Sequence, residues 1–322
     1  MTIAYYDAER VERLLDYPGC TAAVRRAMRS LSETGKAQPL RQIVRIDERT
    51  MFGVMPGDLA AIGSFGAKLV SVAEDPARPG RSRHRGVVVA YAADTAEIEA
   101  IADAEAVTAI RTACATAAAT DALARPDARV LAIFGAGTQA ETHVQALRHV
   151  RDFDGVLLWG RSVDSTTALA NRLSQTLGLA VEATADGQRA AGEADVICTV
   201  SGSAEPILFG GWVRNGTHVN LVGSSMLGPV EVDSALVAAS RYIADYRPGA
   251  LAQASELAIA RDAGIVTDDH VVGEIGQVFA GTLAGRERPD QITLYKSLGH
   301  VAQDLAATAY LHRRALSEAA ER

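Results

Sequence analysis

Val130–Glu141, VLAIFGAGTQAE, decides how the rest of the chain is read. An apolar run breaks at Gly135, Ala136 and Gly137 and turns into the polar start of a helix. GAGTQA has the form G-x-G-x-x-A, placed directly after an expected strand and opening an expected helix. In that setting Gly135 permits a tight turn, Gly137 lets a pyrophosphate approach the backbone, and Ala140 keeps the helix close to the sheet. Thr138 and Gln139 lie at the helix N-terminus, whose unpaired N–H groups face the phosphates. The six-residue pattern is weak alone; the strand before it and the helix and second strand after it make it a dinucleotide-binding turn.

The segments around this turn support that context. Asp103–Ala124 is Ala-rich, lacks Gly and Pro, and is stopped by Pro126, so it is expected to be one long helix. Strand and helix patterns then alternate: RVLAIFG, TQAETHVQALRHV, GVLLWG, STTALANRLSQTLG, AVEAT, DGQRAAGEA, DVICTVS. Continuous apolar strands between helices indicate a parallel sheet covered on both faces. THVNLVGS and RYIADY extend it, and the segment from DQITLYKSLGH to LHRRAL reads as a long amphipathic helix returning to the N-terminal part. Before residue 104 the character differs. Helical spacing over Asp7–Thr34 is followed by RQIVRI, TMFGVMPG, GAKLVSV and GVVVAYA, separated by Gly, Pro and Asp, which is an α+β pattern.

Composition limits the alternatives. The 322 residues favour two domains, and 48% hydrophobic with 22% charged residues describes a soluble globular protein. A net charge of −7 and an isoelectric point near 5.6 argue against a nucleic-acid surface. The basic cluster Arg78–Arg85, RPGRSRHR, reads as a loop. Cys20, Cys114 and Cys198 show neither disulfide nor metal-binding spacing. The N-terminus carries acids where a signal peptide would be basic and apolar, and no apolar run reaches the length of about 20 residues that spans a membrane. No metal, no membrane and a cytoplasmic location are expected.

The second strand of the alternating region bears on the dinucleotide. NAD sites end this strand with an acid for the ribose hydroxyls. Here the strand ends in Gly160, Arg161 and Ser162, which suit a ribose 2′-phosphate and favour NADP(H) over NAD(H). In the alternative reading Arg161 is a solvated turn residue and Asp164 takes the part of the acid. Thr199 and Ser201, and Val222 and Gly223, close two further strands at the edge where open parallel sheets bind ligands.

Over essentially its whole length the sequence resembles the ornithine cyclodeaminase/μ-crystallin family. The matching pieces are QPLRQIV, GAKLVSV, HRGVVVAY, AVTAIRTACATAAATDALARPDA, GAGTQA, GTHVNLVGS and ITLYKSLGH. The resemblance implies a homodimer of two-domain subunits and chemistry on small amino or imino acids. A substrate-binding and dimerisation domain would cover 1–113 with 298–322, and a Rossmann NAD(P)-binding domain 114–297. It places Arg41, Lys68 and Arg111 as ligands of the substrate carboxylate, and an Arg fork suits a planar carboxylate on chemical grounds alone. Without the resemblance, Arg41 and Arg111 would read as surface residues. His84 falls at the family's histidine, with a solvated loop histidine as the alternative; Thr112 would touch cofactor phosphate or substrate, and Ser297 lies in the family segment beside the nicotinamide.

One departure from the family is informative. Cyclodeaminases carry an aspartate after the VG of GTHVNLVGS, where this chain has Ser225, and a serine hydroxyl is no carboxylate base. Glu231 and Asp233 match residues that start the next helix and are poor substitutes. Hydride reduction of a small 2-imino acid or cyclic ketimine carboxylate is therefore expected, with Arg41, Lys68 and Arg111 orienting the carboxylate and Lys68, Ser225 or water supplying a proton. Reversed, the same reaction is that of an amino-acid dehydrogenase. The alternatives are ornithine cyclodeamination and a non-catalytic μ-crystallin-like binding protein.

Overall fold

The computed structural model describes residues 3–73 and 84–321, with His84 described in its backbone only. The chain divides into two compact units, Met1–Thr112 with His300–Arg322, and Ala113–Gly299.

The first unit runs β1 (Ala4–Tyr6), α1 (Ala8–Leu14), α2 (Tyr17–Thr34), β2 (Gln42–Arg45), β3 (Thr50–Leu59), β4 (Ser64–Ala73), β5 (His84–Ala92), β6 (Ile98–Asp103), the first part of α3 (Ala104–Leu123), and finally α11 (Val301–Ala320). The helical spacing over Asp7–Thr34 resolves into two helices. Asp7 caps α1 by accepting from the Arg10 amide at 3.0 Å, and Asp16 caps α2 by accepting from the Gly19 amide at 2.8 Å, with Pro18 in its first turn. The strands form a six-stranded sheet in the order β1-β6-β5-β4-β3-β2, parallel at β1–β6 and otherwise antiparallel. Its burial alternates with the pleat. Lys68, Val88, Ala90, Ala100 and Ala102 are buried on the face that carries α11, whereas Phe65, Leu69, Val87, Val89 and Ile101 on the other face are only half-buried. The basic cluster expected as a loop lies outside the described residues as far as Arg83. His84 and Arg85 correct that reading: their backbones open β5 opposite Val72 and Ser71.

The second unit continues with the rest of α3, then β7 (Val130–Phe134), α4 (Thr138–Leu147), β8 (Gly155–Trp159), α5 (Val163–Leu177), β9 (Val181–Thr184), α6 (Gly187–Glu193), β10 (Val196–Thr199), β11 (His218–Leu221), α7 (Ser234–Ala239), β12 (Ser240–Ala244), α8 (Arg247–Gln253), α9 (Ser255–Asp262), β13 (Val271–Glu274), α10 (Ile275–Ala280) and β14 (Ile292–Lys296). Its eight-stranded sheet, β13-β12-β14-β11-β10-β7-β8-β9, is parallel throughout. This is a doubly wound α/β sheet, and Ala132, Ile197, Val219 and Leu294 are among its fully buried core residues. The expected C-terminal helix needs correction. Ile292–Lys296 is a strand inserted between β11 and β12 and buried along its whole length, and only Val301–Ala320 is helical. Its β-branched and aromatic residues suit a strand covered on both faces.

Among the described residues no helix is long and apolar enough to cross a membrane, and no group of three or more His, Cys, Asp or Glu side chains could hold a metal ion.

Candidate active site

In the parallel sheet the strand order reverses between β7 and β10, so the loops leaving these strands diverge and open a crevice at their C-terminal ends. The glycine turn follows β7 there. Gly135 has φ 149°, and a Cβ on it would lie 2.8 Å from Val200 Cγ2 and 3.0 Å from the Val200 carbonyl oxygen, so only glycine lets the β7 and β10 loops pack together. Gly137 is different: it caps α4 at φ −100°, and among the described residues nothing lies within 4 Å of where its Cβ would be. That gap beside a ten-residue helix N-terminus fits a pyrophosphate. Ala136 and Gln139 are half-buried, Thr138 is exposed and Ala140 is buried against the sheet. Among the described residues Gln139 Oε1 is buried without a hydrogen-bond partner, as is Ser297 Oγ just beyond β14, which leaves an amide acceptor and a hydroxyl for a bound ligand. The Gln139 carbonyl receives Nδ1–H of the fully buried His143 at 2.6 Å, and His143 Nε2 accepts from the Thr116 hydroxyl at 3.0 Å. Burial pulls this imidazole down to about 4, which keeps it neutral and makes it a strut between α3 and the turn.

At the end of β8, Gly160 has a packing reason: a Cβ would meet Thr166 Oγ1 at 2.5 Å. Arg161 is exposed, Ser162 caps α5 by accepting from the Ser165 amide at 3.3 Å, and Asp164 is exposed on the first turn of α5.

The ends of β10 and β11 are joined by Glu231. Its carboxylate accepts from the Thr199 hydroxyl (2.7 Å), the Ser201 amide (2.7 Å) and hydroxyl (2.8 Å), and the Gly223 amide (2.8 Å). Burial pushes this carboxyl up, and the hydrogen bonds of Thr199 and Ser201 oppose the shift. Thr199, Ser201 and Gly223 therefore spend these donors on the protein and shape the edge with their backbone. Asp233 does start α7, as its N-cap, whereas Glu231 reaches back to the strand ends. Val222 is buried, and Ser225 is half-buried in the loop after β11. The neighbouring Ser224 is held by the buried Lys296, whose Nζ donates to its carbonyl (2.8 Å), its Oγ (2.9 Å) and Glu256 (3.2 Å).

In the first unit, β4, α3 and α11 bring a charged cluster together. Lys68 and Arg111, 6% and 4% exposed, both donate to Oδ1 of the fully buried Asp304, at 3.3 Å from Lys68 Nζ and 3.0 Å from Arg111 Nε. Arg111 Nη1 also donates to Gln303 Oε1 at 2.7 Å, and Lys68 Nζ to the Thr108 hydroxyl at 2.6 Å. Burial lowers Lys68 to about 8; Asp304 opposes the shift, while Arg111 and the half-buried Arg41 add to it. Burial raises Asp304, but Arg111 and Lys68 outweigh it and hold the carboxyl below its ordinary range. The expected cations Arg41, Lys68 and Arg111 thus act on one another electrostatically. Thr112 is buried next to Arg111 on α3, and the side chain of His84 lies outside the described residues. Asp304, Gln303 and Thr108 escaped the sequence reading.

The profile of the ornithine cyclodeaminase/mu-crystallin family matches residues 4–319. The chain belongs to this family. Among relatives, mouse ketimine reductase mu-crystallin is 32% identical over 279 residues, covering 86% of this chain and 85% of the relative. Among solved structures, Thermococcus litoralis Δ1-pyrroline-2-carboxylate reductase in complex with NADH and L-proline has a TM-score of 0.92 at 28% identity, covering 98% of each chain. An archaeal alanine dehydrogenase dimer with bound NAD has a TM-score of 0.91 at 27% identity, covering 99% of this chain and 98% of the other. Ser225 stands in the loop after β11, close in sequence to Glu231. The structure offers no free carboxylate from Glu231 there, because both of its oxygens are engaged.

Proposed function

We propose that the protein is an NAD(P)H-dependent reductase of a small 2-imino acid or cyclic ketimine carboxylate, of the Δ1-pyrroline-2-carboxylate or Δ1-piperideine-2-carboxylate type. One observation carries the reading: two buried cations, Lys68 and Arg111, share a single buried carboxylate, and half-buried Arg41 adds further positive charge. A bound carboxylate offsets that excess. Among the described residues Arg111 Nη2 has no protein partner, which leaves this edge of the guanidinium to a ligand. A bound reduced nicotinamide supplies a hydride. Arg111 and Arg41 hold the substrate carboxylate and fix the imine carbon, and Lys68, protonated at neutral pH, donates a hydrogen bond to the carboxylate or a proton to the imine nitrogen. Names of similar proteins support the class: a ketimine reductase and a pyrroline-2-carboxylate reductase. The test is oxidation of NADPH and NADH with a panel of cyclic and linear imino acids, with ammonia release from ornithine followed in parallel. Turnover of an imino acid without cyclodeamination supports the reading; ammonia release from ornithine with no imine reduction overturns it.

For the cofactor we infer NADP(H) over NAD(H), held at the turn Gly135–Gln139 with its 2′-phosphate on Arg161 and Ser162. Support comes from the exposed Arg161 at a strand end without an acid. Arg161→Ala is expected to lower kcat/KM for NADPH about tenfold and to leave that for NADH within about twofold. An unchanged NADPH/NADH ratio would return the adenosine ribose to Asp164.

The half-buried apolar face of the six-stranded sheet supports a homodimer, and Tyr5 and Val44 on it are 53% and 50% exposed. Wild type is expected at about twice the chain mass of 33.8 kDa in light scattering, and Leu69→Glu at the chain mass. Cys20, Cys114 and Cys198 are buried and form no disulfide among the described residues, which supports a reducing, cytoplasmic compartment.

A further inference from the structure

We propose that Asp304 is the positioning residue of the carboxylate site, the group through which α11 sets both the orientation of Arg111 and the charge of Lys68. The proposal rests on the reductase reading for its rate assay and stands without it for its titration.

The geometry is specific. Asp304 is fully buried, and its Oδ1 alone serves both cations; Oδ2 has no hydrogen-bond partner among the described residues. Gln303, the preceding residue on α11, takes Arg111 Nη1. With Nε and Nη1 both tied to α11, the planar guanidinium cannot rotate about its long axis, and Nη2 is presented in one direction. The guanidinium is therefore preorganised before a carboxylate arrives. Lys68 is held between the Thr108 hydroxyl and the same Oδ1, so its ammonium is fixed in position as well.

Charge gives the second half of the argument. Among the described residues, the ionisable groups that act most strongly on Lys68 are Asp304 from α11, Arg111 from α3, and Arg41 ahead of β2; His300, at the start of α11, senses the same three. His300 is held down to about 4 by burial and is neutral near pH 7, so Asp304 is the one anion among them. Burial and two neighbouring arginines would otherwise drive the proton off Lys68 near neutral pH. Lys36, Lys68 and Lys296 are the chain's three lysines, so the protonation of Lys68 can be read directly.

The experiment titrates 13C-lysine-labelled protein by NMR, with Lys68 assigned from Lys68→Met, in wild type, Asp304→Asn and Asp304→Glu. Alongside it, kcat/KM against pH is measured with the imino acid that wild type reduces best. Lys68 in wild type is expected to titrate near 8. Asp304→Asn is expected to move this, and the alkaline limb of kcat/KM, down by about one pH unit or more, an about tenfold loss of rate at high pH. Asp304→Glu retains the anion and keeps the limb near that of wild type, at reduced rate. Gln303→Met, which leaves the charge of Asp304 in place, raises KM about tenfold with the Lys68 titration unmoved. Coincident titrations in wild type and Asp304→Asn, or equal shifts in the Asn and Glu variants, would overturn the electrostatic role; an unchanged KM in Gln303→Met would overturn the orienting one. Should wild type reduce no imino acid while Lys68 still shifts in Asp304→Asn, the reductase reading fails and this inference survives.

Discussion

Arg111→Met is expected to lower kcat/KM for the imino acid about 1,000-fold while dinucleotide affinity stays within about twofold of wild type. Methionine approximates the length of the arginine stem, so the packing of α3 is largely kept, but the planar fork is lost. Truncating one member of a buried, hydrogen-bonded charge pair costs about 2–5 kcal/mol. The loss falls on substrate recognition because Arg111 is anchored by Asp304 and Gln303 on the first unit, whereas the glycine turn belongs to the second. Steady-state kinetics and fluorescence titration with NADPH separate the two. Parallel loss of substrate and dinucleotide binding would remove Arg111 from the substrate site.

Gly137→Val is expected to raise the dinucleotide Kd about 100-fold and to leave the Tm within about 2 °C. The residue caps α4 at an ordinary φ of −100°, and its Cβ would project into open space, so the folded chain tolerates a side chain there. A phosphate against the same backbone does not. Gly135→Ala should do the reverse in kind, lowering Tm first. Its φ of 149° and the 2.8 Å approach to Val200 Cγ2 make any side chain strained in the free protein. Equal Tm losses in the two variants would mean that both glycines serve packing alone.

The difference between these glycines also shows which parts of the molecule the sequence reveals. The turn, the long helix α3 and the strand–helix alternation after it are local patterns, and each residue carries its reason within a few positions. Strand β14 reads locally as helix because ITLYK runs into the apolar start of α11. What makes it a strand is its place between β11 and β12, which no local period records. The carboxylate cluster is less local still: Asp304 lies 236 positions from Lys68 and 193 from Arg111. An acid within an amphipathic C-terminal helix looks like a solvated residue until the fold buries it. Glu231 escaped for the same reason: the resemblance sets it with Asp233 at the start of the next helix, whereas its partners are the ends of two earlier strands. Lys68 gave a signal in advance, as a lysine in a mostly apolar strand, a charge that needs an anion.

The central claim is hydride delivery to the imine carbon of a small carboxylate substrate, and isotope transfer tests it most directly. Purified protein is incubated with NADPH deuterated at C4, in separate preparations for each face, and with Δ1-pyrroline-2-carboxylate or Δ1-piperideine-2-carboxylate. The account predicts a cyclic amino acid with one deuterium on the α-carbon from one of the two labelled faces, and none from the other. Unlabelled cyclic amino acid, or no product from either imine while NADPH remains bound, would contradict it.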